Sequence, residues 1–253
     1  MRSKTGYQVS LLSNLALGPM FEVDGIFYFT AEHAYMAQRV DAESRERFSI
    51  TGDLGCFDNM RKNPKTLAWW FKLSFNKKGT NFRENNGMDG QIAKQATKED
   101  ACKILKIKIV TKTPPKEDER WALWNIILSA KFTTNVEARK VLLASENCLI
   151  IETARRHPEA SKWGGLVQNG QLLGKNTMGR YLCRVRDMIK NGQSVEDPVN
   201  KESKKDSERD EDSDVEQRTA GMYDDDDDSD LQQRTPRSRR IDEDDYEIIY
   251  ISD

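Results

Sequence analysis

The sequence predicts a mainly helical body that carries a β-hairpin and is followed by a disordered acidic tail. Three observations lead there. Residues 21–29, FEVDGIFYF, set an Asp-Gly pair between two runs of β-forming residues. Three segments between residues 118 and 192 repeat apolar side chains at helical spacing. From about residue 196 apolar residues almost vanish and acids run together.

Asp24-Gly25 is a pair that closes tight hairpins, because both residues tolerate a positive φ. The next stretch, TAEHAYMAQRV at 30–40, changes period. Ala34, Ala37 and Val40 have helical spacing, and Thr30 is placed to cap the helix. Glu32 falls in the first turn, where the helix dipole favours a negative charge whatever else the residue does. Residues 50–90 are rich in Gly and Asn and read as loops around LAWWFKLSF. Its Trp69-Trp70-Phe71 cluster makes either a local core or an apolar contact surface. TKEDACKILKIKIV, 97–110, reads as a helix running into a β-rich segment. DERWALWNIILSAKF is a clear helix with Trp121, Trp124, Ile127 and Leu128 on one face. NVEARKVLLAS is a second, capped by Asn135. NTMGRYLCRVRDMIKNG is a third, with Gly192 as its stop and Arg180, Arg184, Arg186 and Lys190 forming a basic face. That face is either solvated or a phosphate contact.

The formal net charge of −2 conceals a split. Residues 1–200 hold 31 Lys and Arg against 22 Asp and Glu, a charge of +9. Residues 201–253 hold 9 against 20, a charge of −11. A basic body attracts phosphates, nucleotides or nucleic acid, and an acidic tail folded over it competes with such ligands. The four cysteines, Cys56, Cys102, Cys148 and Cys183, have neither metal-site spacing nor a disulfide pattern, which fits a reducing interior, cytoplasm or nucleus. The N-terminus lacks the apolar core of a secretory signal, and no apolar run is long enough to span a membrane.

Three longer segments then line up: LLSNLALGPMFEVDGIFYFTAEHAYMAQ, ALWNIILSAKFTTNVEARKVLLAS and KWGGLVQNGQLLGKNTMGRYLCRVRDMI. Their order resembles the NADAR, or YbiA-like, superfamily. That family shows a Ser-Asn near the N-terminus, a Ser-Glu-His on the first helix and an Ala-Lys-Phe ending a central helix. A Trp-Gly and a Gly-Lys-Asn-x-x-Gly before the last helix complete the pattern. The resemblance covers about residues 11–190, apart from 50–90, which reads as an insertion. It implies a single α+β, mostly helical domain over residues 1–195, with residues 196–253 a disordered acidic tail. It also implies N-glycosidase chemistry without metal or cofactor. The substrate is then a phosphorylated N-riboside, such as a riboflavin-biosynthesis intermediate, or an ADP-ribosyl adduct of guanine, free or on nucleic acid.

Cleaving an N-glycosidic bond builds positive charge on the ribose, and a carboxylate aimed at the anomeric carbon stabilises it or activates water. Glu32 is the carboxylate that matches the family motif. Lys131 and Lys175 are candidates for assistance, including attack on the opened sugar to form a Schiff base. Asn14, His33, Tyr35, Trp163, Gly164 and Asn176 are candidate substrate contacts. Each also has a plainer reading: Asn14 as a turn residue, Trp163 as core, Asn176 as a helix cap, Lys131 as a surface charge and His33 as a structural residue. Two departures from the family favour an alternative, a catalytically inactive ADP-ribose or nucleotide reader. Gly165 stands where many relatives have Asp after the Trp-Gly, and a Gly-Arg before the central helix is missing. A third reading is a nucleic-acid-binding protein whose grip the tail controls.

The chain ends RIDEDDYEIIYISD. Ile248, Ile249 and Ile251 resemble a SUMO-interacting motif, an apolar strand that adds to a sheet edge with acids beside it. A chance sticky segment is the plainer reading. Ser207 and Ser213 resemble acid-directed kinase sites, where phosphates would deepen the negative charge.

Overall fold

The computed structural model describes residues 9–76, 88–111, 116–154, 157–192, 239–240 and 248–251. The chain enters through a 3-10 turn, Val9–Leu12. The hairpin follows as β1 (Phe21–Val23) and β2 (Ile26–Tyr28), antiparallel with Val23 opposite Ile26. Asp24 and Gly25 have φ of 52° and 78°, the positive pair that such a turn demands. Thr30 then caps α1 (Ala31–Ala37), its hydroxyl oxygen accepting from the His33 N–H. All seven residues of α1 are buried, so this short helix sits inside the body and its Glu32 and His33 need partners there.

Residues 50–90 differ from their expectation. Beyond α2 (Ala42–Arg45) come α3 (Phe57–Arg61), α4 (Pro64–Asn76) and α5 (Met88–Ala96), so this segment is largely helical where described. Trp69 and Trp70 are buried in the main core while Phe71 is exposed, which resolves the aromatic cluster in favour of core. A polar knot secures the entry to α4. Arg47 grips both oxygens of Asp53 at 2.9 Å and donates to the Leu105 carbonyl. Asp53 also accepts from Asn63 and Thr66. Burial raises the Asp53 carboxyl, but the hydrogen bonds from Arg47 and Thr66 and the Arg47 charge outweigh it and hold the group below the usual carboxylate range.

α6 (Glu99–Leu105) is followed not by a strand but by one bridge, Val40 to Ile109. The central helix α7 (Glu117–Thr134) buries Trp121, Trp124, Ile127 and Leu128, the stripe read from the sequence. Asn135 caps α8 (Val136–Ala144) by accepting from the Ala138 N–H. The strand β3 (Leu149–Glu152) precedes a second hairpin, β4 (Leu166–Gln168) and β5 (Gln171–Leu173). The last helix, α9 (Thr177–Lys190), packs on β3 and α7 and stops before Gly192, whose φ is 61°. Its basic face is largely engaged: Arg186 is buried and donates to Ser145 and to the Cys148 carbonyl, Arg180 pairs with Glu117, and Lys190 donates to the Glu146 carbonyl.

The expectation of disorder from 196 to 253 fails at two places. Residues Arg239–Arg240 form β6, antiparallel to β5, and Ile248–Ile251 form β7, parallel to β3. The apolar run Ile248–Ile251 finds a strand edge inside an acidic sequence because pairing satisfies backbone groups that β3 would otherwise leave open. The candidate kinase sites Ser207 and Ser213 lie outside the described residues. Among the described residues no helix is long and apolar enough to cross a membrane.

Candidate active site

The turn that follows Val9–Leu12 is the hub of the site. Ser13 folds it by accepting from the Ala16 N–H through its carbonyl and from the Leu15 N–H through its hydroxyl. Two elements distant in sequence close on its backbone. The Glu32 N–H, at the start of α1, donates to the Asn14 carbonyl at 3.1 Å. The Lys131 Nζ, from α7, donates to the Ser13 carbonyl at 2.6 Å and to the Leu12 carbonyl at 3.5 Å. Three of the predicted residues therefore converge on one turn. All are buried: Asn14 is 4 % exposed, Glu32 6 % and Lys131 3 %. The Asn14 Oδ1 is buried with no hydrogen-bond partner among the described residues. A buried amide oxygen left that way costs free energy, about 1–3 kcal/mol, unless something else supplies a donor.

Lys131 and Lys175 separate sharply. Lys131, read from sequence as an ordinary helix-end charge or an assistant, is buried against carbonyls. Lys175 is exposed, and its backbone N–H donates to the Ser161 carbonyl.

His33 is fully buried, and both ring nitrogens are bonded within the protein. The Leu54 carbonyl needs a donor, so Nε2 carries the proton and donates at 3.0 Å; Nδ1 accepts from the Thr30 hydroxyl at 2.8 Å. His33 thus ties α1 to the 50–55 segment, with both ring nitrogens engaged within the protein. Burial lowers its pKa from 6.5 to about 4, against a smaller upward pull from the Leu54 carbonyl. The neutral ring is the folded form at pH 7. Below pH 6.5 the unfolded chain takes up a proton that the folded chain refuses until about pH 4, so stability falls across that window as pH drops. The loss is expected to approach about 3 kcal/mol at its lower end. Urea unfolding at about pH 7.5, 6 and 5 reads it, before most carboxylates titrate, and His33→Gln is expected to flatten the slope. An unchanged midpoint across that range would contradict the neutral, buried ring.

An aromatic wall stands beside this hub. Tyr35 stacks on Trp124 at 4.6 Å, and Trp163 meets both rings edge-on at 6.0 Å. Trp124 and Lys131 are seven residues apart on α7, two turns along one face, so the same helix carries the aromatic and the cationic element. Sequence reading put Trp124 in the core and missed its place in this wall. The signal was present in that two-turn spacing from Lys131. The Trp124 Nε1 is also buried without a partner among the described residues.

Trp163-Gly164 and the Gly-Lys-Asn-x-x-Gly stretch form a single clasp. The N–H groups of Lys175, Asn176, Thr177 and Met178 donate in turn to the carbonyls of Ser161, Gly164, Lys162 and Trp163. Asn176 takes φ 45° and directs its amide at β3, Nδ2 donating to the Ile150 carbonyl at 2.8 Å and Oδ1 accepting from the Glu152 N–H at 3.1 Å. It occupies the N-cap position of α9 without a side-chain cap bond. Asn176 thus makes no side-chain cap bond, and its amide holds a strand. Gly179 brings α9 against that strand; a Cβ there would lie 2.0 Å from the Ile150 carbonyl oxygen. At Gly164 a Cβ would lie 2.6 Å from the Glu152 carbonyl, and at Gly165 2.7 Å from that of Leu173. The clasp places Trp163 against Tyr35 and Trp124. It leaves no room for a side chain at position 165.

Among the described residues no group of three or more His, Cys, Asp or Glu is arranged to hold a metal ion. No protein-family model matches the chain, and no curated protein matches it. Its structure is similar to the NMR structure of the E. coli protein YbiA, with 20 % sequence identity and a TM-score of 0.38. The match covers 74 % of this chain and 84 % of that one.

Proposed function

We propose that the chain is an N-glycosidase that hydrolyses the bond between a nitrogen base and a phosphorylated ribose or ADP-ribose. The observation that carries this reading is that three buried residues meet on one turn, Glu32 through its backbone N–H, Lys131 through Nζ, and Asn14, whose Oδ1 lacks a hydrogen-bond partner among the described residues. A carboxylate kept from bulk water acts strongly on a charge that develops beside it.

In this reading the C1′–N bond breaks with its electron pair leaving on the nitrogen, and C1′ becomes cationic. Glu32 stabilises that cation and takes the proton of the water that adds to it, and that proton passes on to the departing nitrogen, which leaves as the neutral base. Asn14 Oδ1 accepts from a ribose hydroxyl, which gives the buried oxygen its missing donor. Lys131 holds the turn that carries Asn14. Trp163, the half-buried ring of the three, offers its exposed part to the base, held in place by Tyr35 and Trp124. Gly164 lets the loop bearing Trp163 lie close to β3. Lys175, exposed at the end of the clasp, meets phosphate.

The test is base release from ADP-ribosylated guanosine and from a ribosylamino-pyrimidine phosphate, run on the full-length chain. Adding cyanoborohydride during turnover separates the two roles for lysine: a trapped adduct at Lys131 or Lys175 establishes the Schiff-base route, and turnover with no adduct leaves Glu32 with water. One observation favours the second reading, an inactive ADP-ribose or nucleotide reader. Residue 165 is packed for glycine, so a side-chain carboxylate is excluded at that point. Tight ADP-ribose binding with no release of base from either substrate would select it.

A further inference from the structure

The two edges of β3 are held differently. The backbone groups of Ile150 and Glu152 face Asn176 and Gly165. Strand geometry turns those of the alternate residues the other way, toward β7, where the Thr153 N–H donates to the Ile251 carbonyl at 2.7 Å. Ile248 to Ile251 lie opposite Leu149 to Glu152 in register. Take β7 away and β3 is an open edge beside two fully buried isoleucines, Ile150 and Ile151.

The ligand on that edge is short. Of its four side chains only Ile251 is fully covered, the others being half-buried. It packs on the Val9–Leu12 turn as well as on β3. The end of the edge where Ile248 begins lies by two arginines, Arg180 paired with Glu117 and Arg184 over the Trp121 ring. Leu149, the partner of Ile248, lines an open groove together with Arg180, Arg184 and Asp187. In the sequence, Ile248 is preceded by Asp242, Glu243, Asp244, Asp245 and Glu247.

We propose that this edge of β3, with the arginine groove at its end, is a strand-addition site for a parallel apolar peptide preceded by acids. Its resident ligand is the chain's own C-terminus, and that ligand exchanges with the same segment supplied in trans. Main-chain pairing gives such a site its affinity, the isoleucine positions its selectivity, and the arginines its preference for acids on the leading side. A partner sheet that takes Ile248–Ile251 must then compete with β3 for the strand. This site stands whether or not the reaction proposed above takes place.

The probe is a fluorescein-labelled peptide of residues 242–253, DEDDYEIIYISD, titrated into two full-length proteins. One is wild type and the other carries Ile249→Asp and Ile251→Asp, which prevents its own strand from seating. The variant is expected to bind the peptide about tenfold or more tightly than wild type, whose edge is already occupied. Replacing the peptide's acids with Asn and Gln is expected to weaken binding about tenfold at low salt, and the difference should shrink as salt screens it. A folded variant that does not bind, or equal binding by both proteins, overturns the proposal. If the variant shows no cooperative unfolding transition, wild type supplies the test by hydrogen exchange. Amides of Ile248–Ile251 should be protected alone and lose protection in excess unlabelled peptide, while those of Leu149–Glu152 keep theirs. Residues 248–251 unprotected from the start, or protected throughout, would equally overturn it.

Discussion

Glu32→Gln is expected to slow base release by about 10²–10⁴-fold while leaving the unfolding midpoint close to that of wild type. The two side chains have the same shape, so a residue that is 6 % exposed is exchanged without a cavity. What changes is charge. The substituted amide neither offsets a cationic ribose nor accepts a proton from water. The helix-dipole part of a first-turn carboxylate's structural role is worth only about 0.3–1 kcal/mol, and a structural role alone changes stability but not the rate of the folded protein. Single-turnover release of free base by chromatography, beside urea unfolding, separates the two. A fully folded Glu32→Gln variant that turns over either substrate at the wild-type rate removes the mechanism. Asn14→Ala should act in the same assay by a smaller factor, because it deletes one hydrogen bond to the ribose and no charge.

The order in which the sequence became legible follows the range of the interactions involved. The Asp24-Gly25 turn, the Thr30 and Asn135 caps and the Gly192 stop depend on residues within four positions of each other, and all stand where local chemistry put them. The helix α4 had a local signal that its surroundings obscured. Asn63 accepts from the Thr66 N–H, and Pro64 opens the helix, a cap followed by a pre-set φ. The Gly and Asn content of the flanking residues pointed to loops and concealed it.

What stayed hidden is non-local. Nothing near Lys131 in sequence indicates that carbonyls 118 and 119 residues away will bury it. The partner of Ile248–Ile251 lies some hundred residues earlier, so an apolar run in an acid background was visible but its edge was not. Trp163 and Lys175 show the same limit from the other side. Their motifs, read as separate ligand contacts, are joined by four backbone hydrogen bonds into one element. Glu32 and Asn14 were picked out by type and motif, and the structure brings them to one turn.

Asn176→Ala should then be a stability variant first, with a loss of about 3–7 kcal/mol. It removes the donor to the buried Ile150 carbonyl and the acceptor of the Glu152 N–H, each a cost of about 1–3 kcal/mol when left unmet. It also puts alanine at φ 45°, which asparagine tolerates better by roughly 1 kcal/mol. Against a typical total of about 5–15 kcal/mol, the variant is expected to unfold at markedly lower urea. Gly179→Ala tests the same clasp from the helix side. Alanine gains about 1 kcal/mol in helix propensity, so α9 alone would be stabilised. Its methyl, however, meets the Ile150 carbonyl at 2.0 Å, and forcing strand and helix apart costs about 1–3 kcal/mol or more, so the net sign is a loss. A ligand-contacting asparagine behaves in the opposite way, losing affinity for ADP-ribose with its unfolding midpoint unchanged. Urea midpoints measured beside ADP-ribose titration therefore decide the role of the motif. A clasp shifts the midpoint in both variants. A binding loop shifts only the affinity, and chiefly in Asn176→Ala.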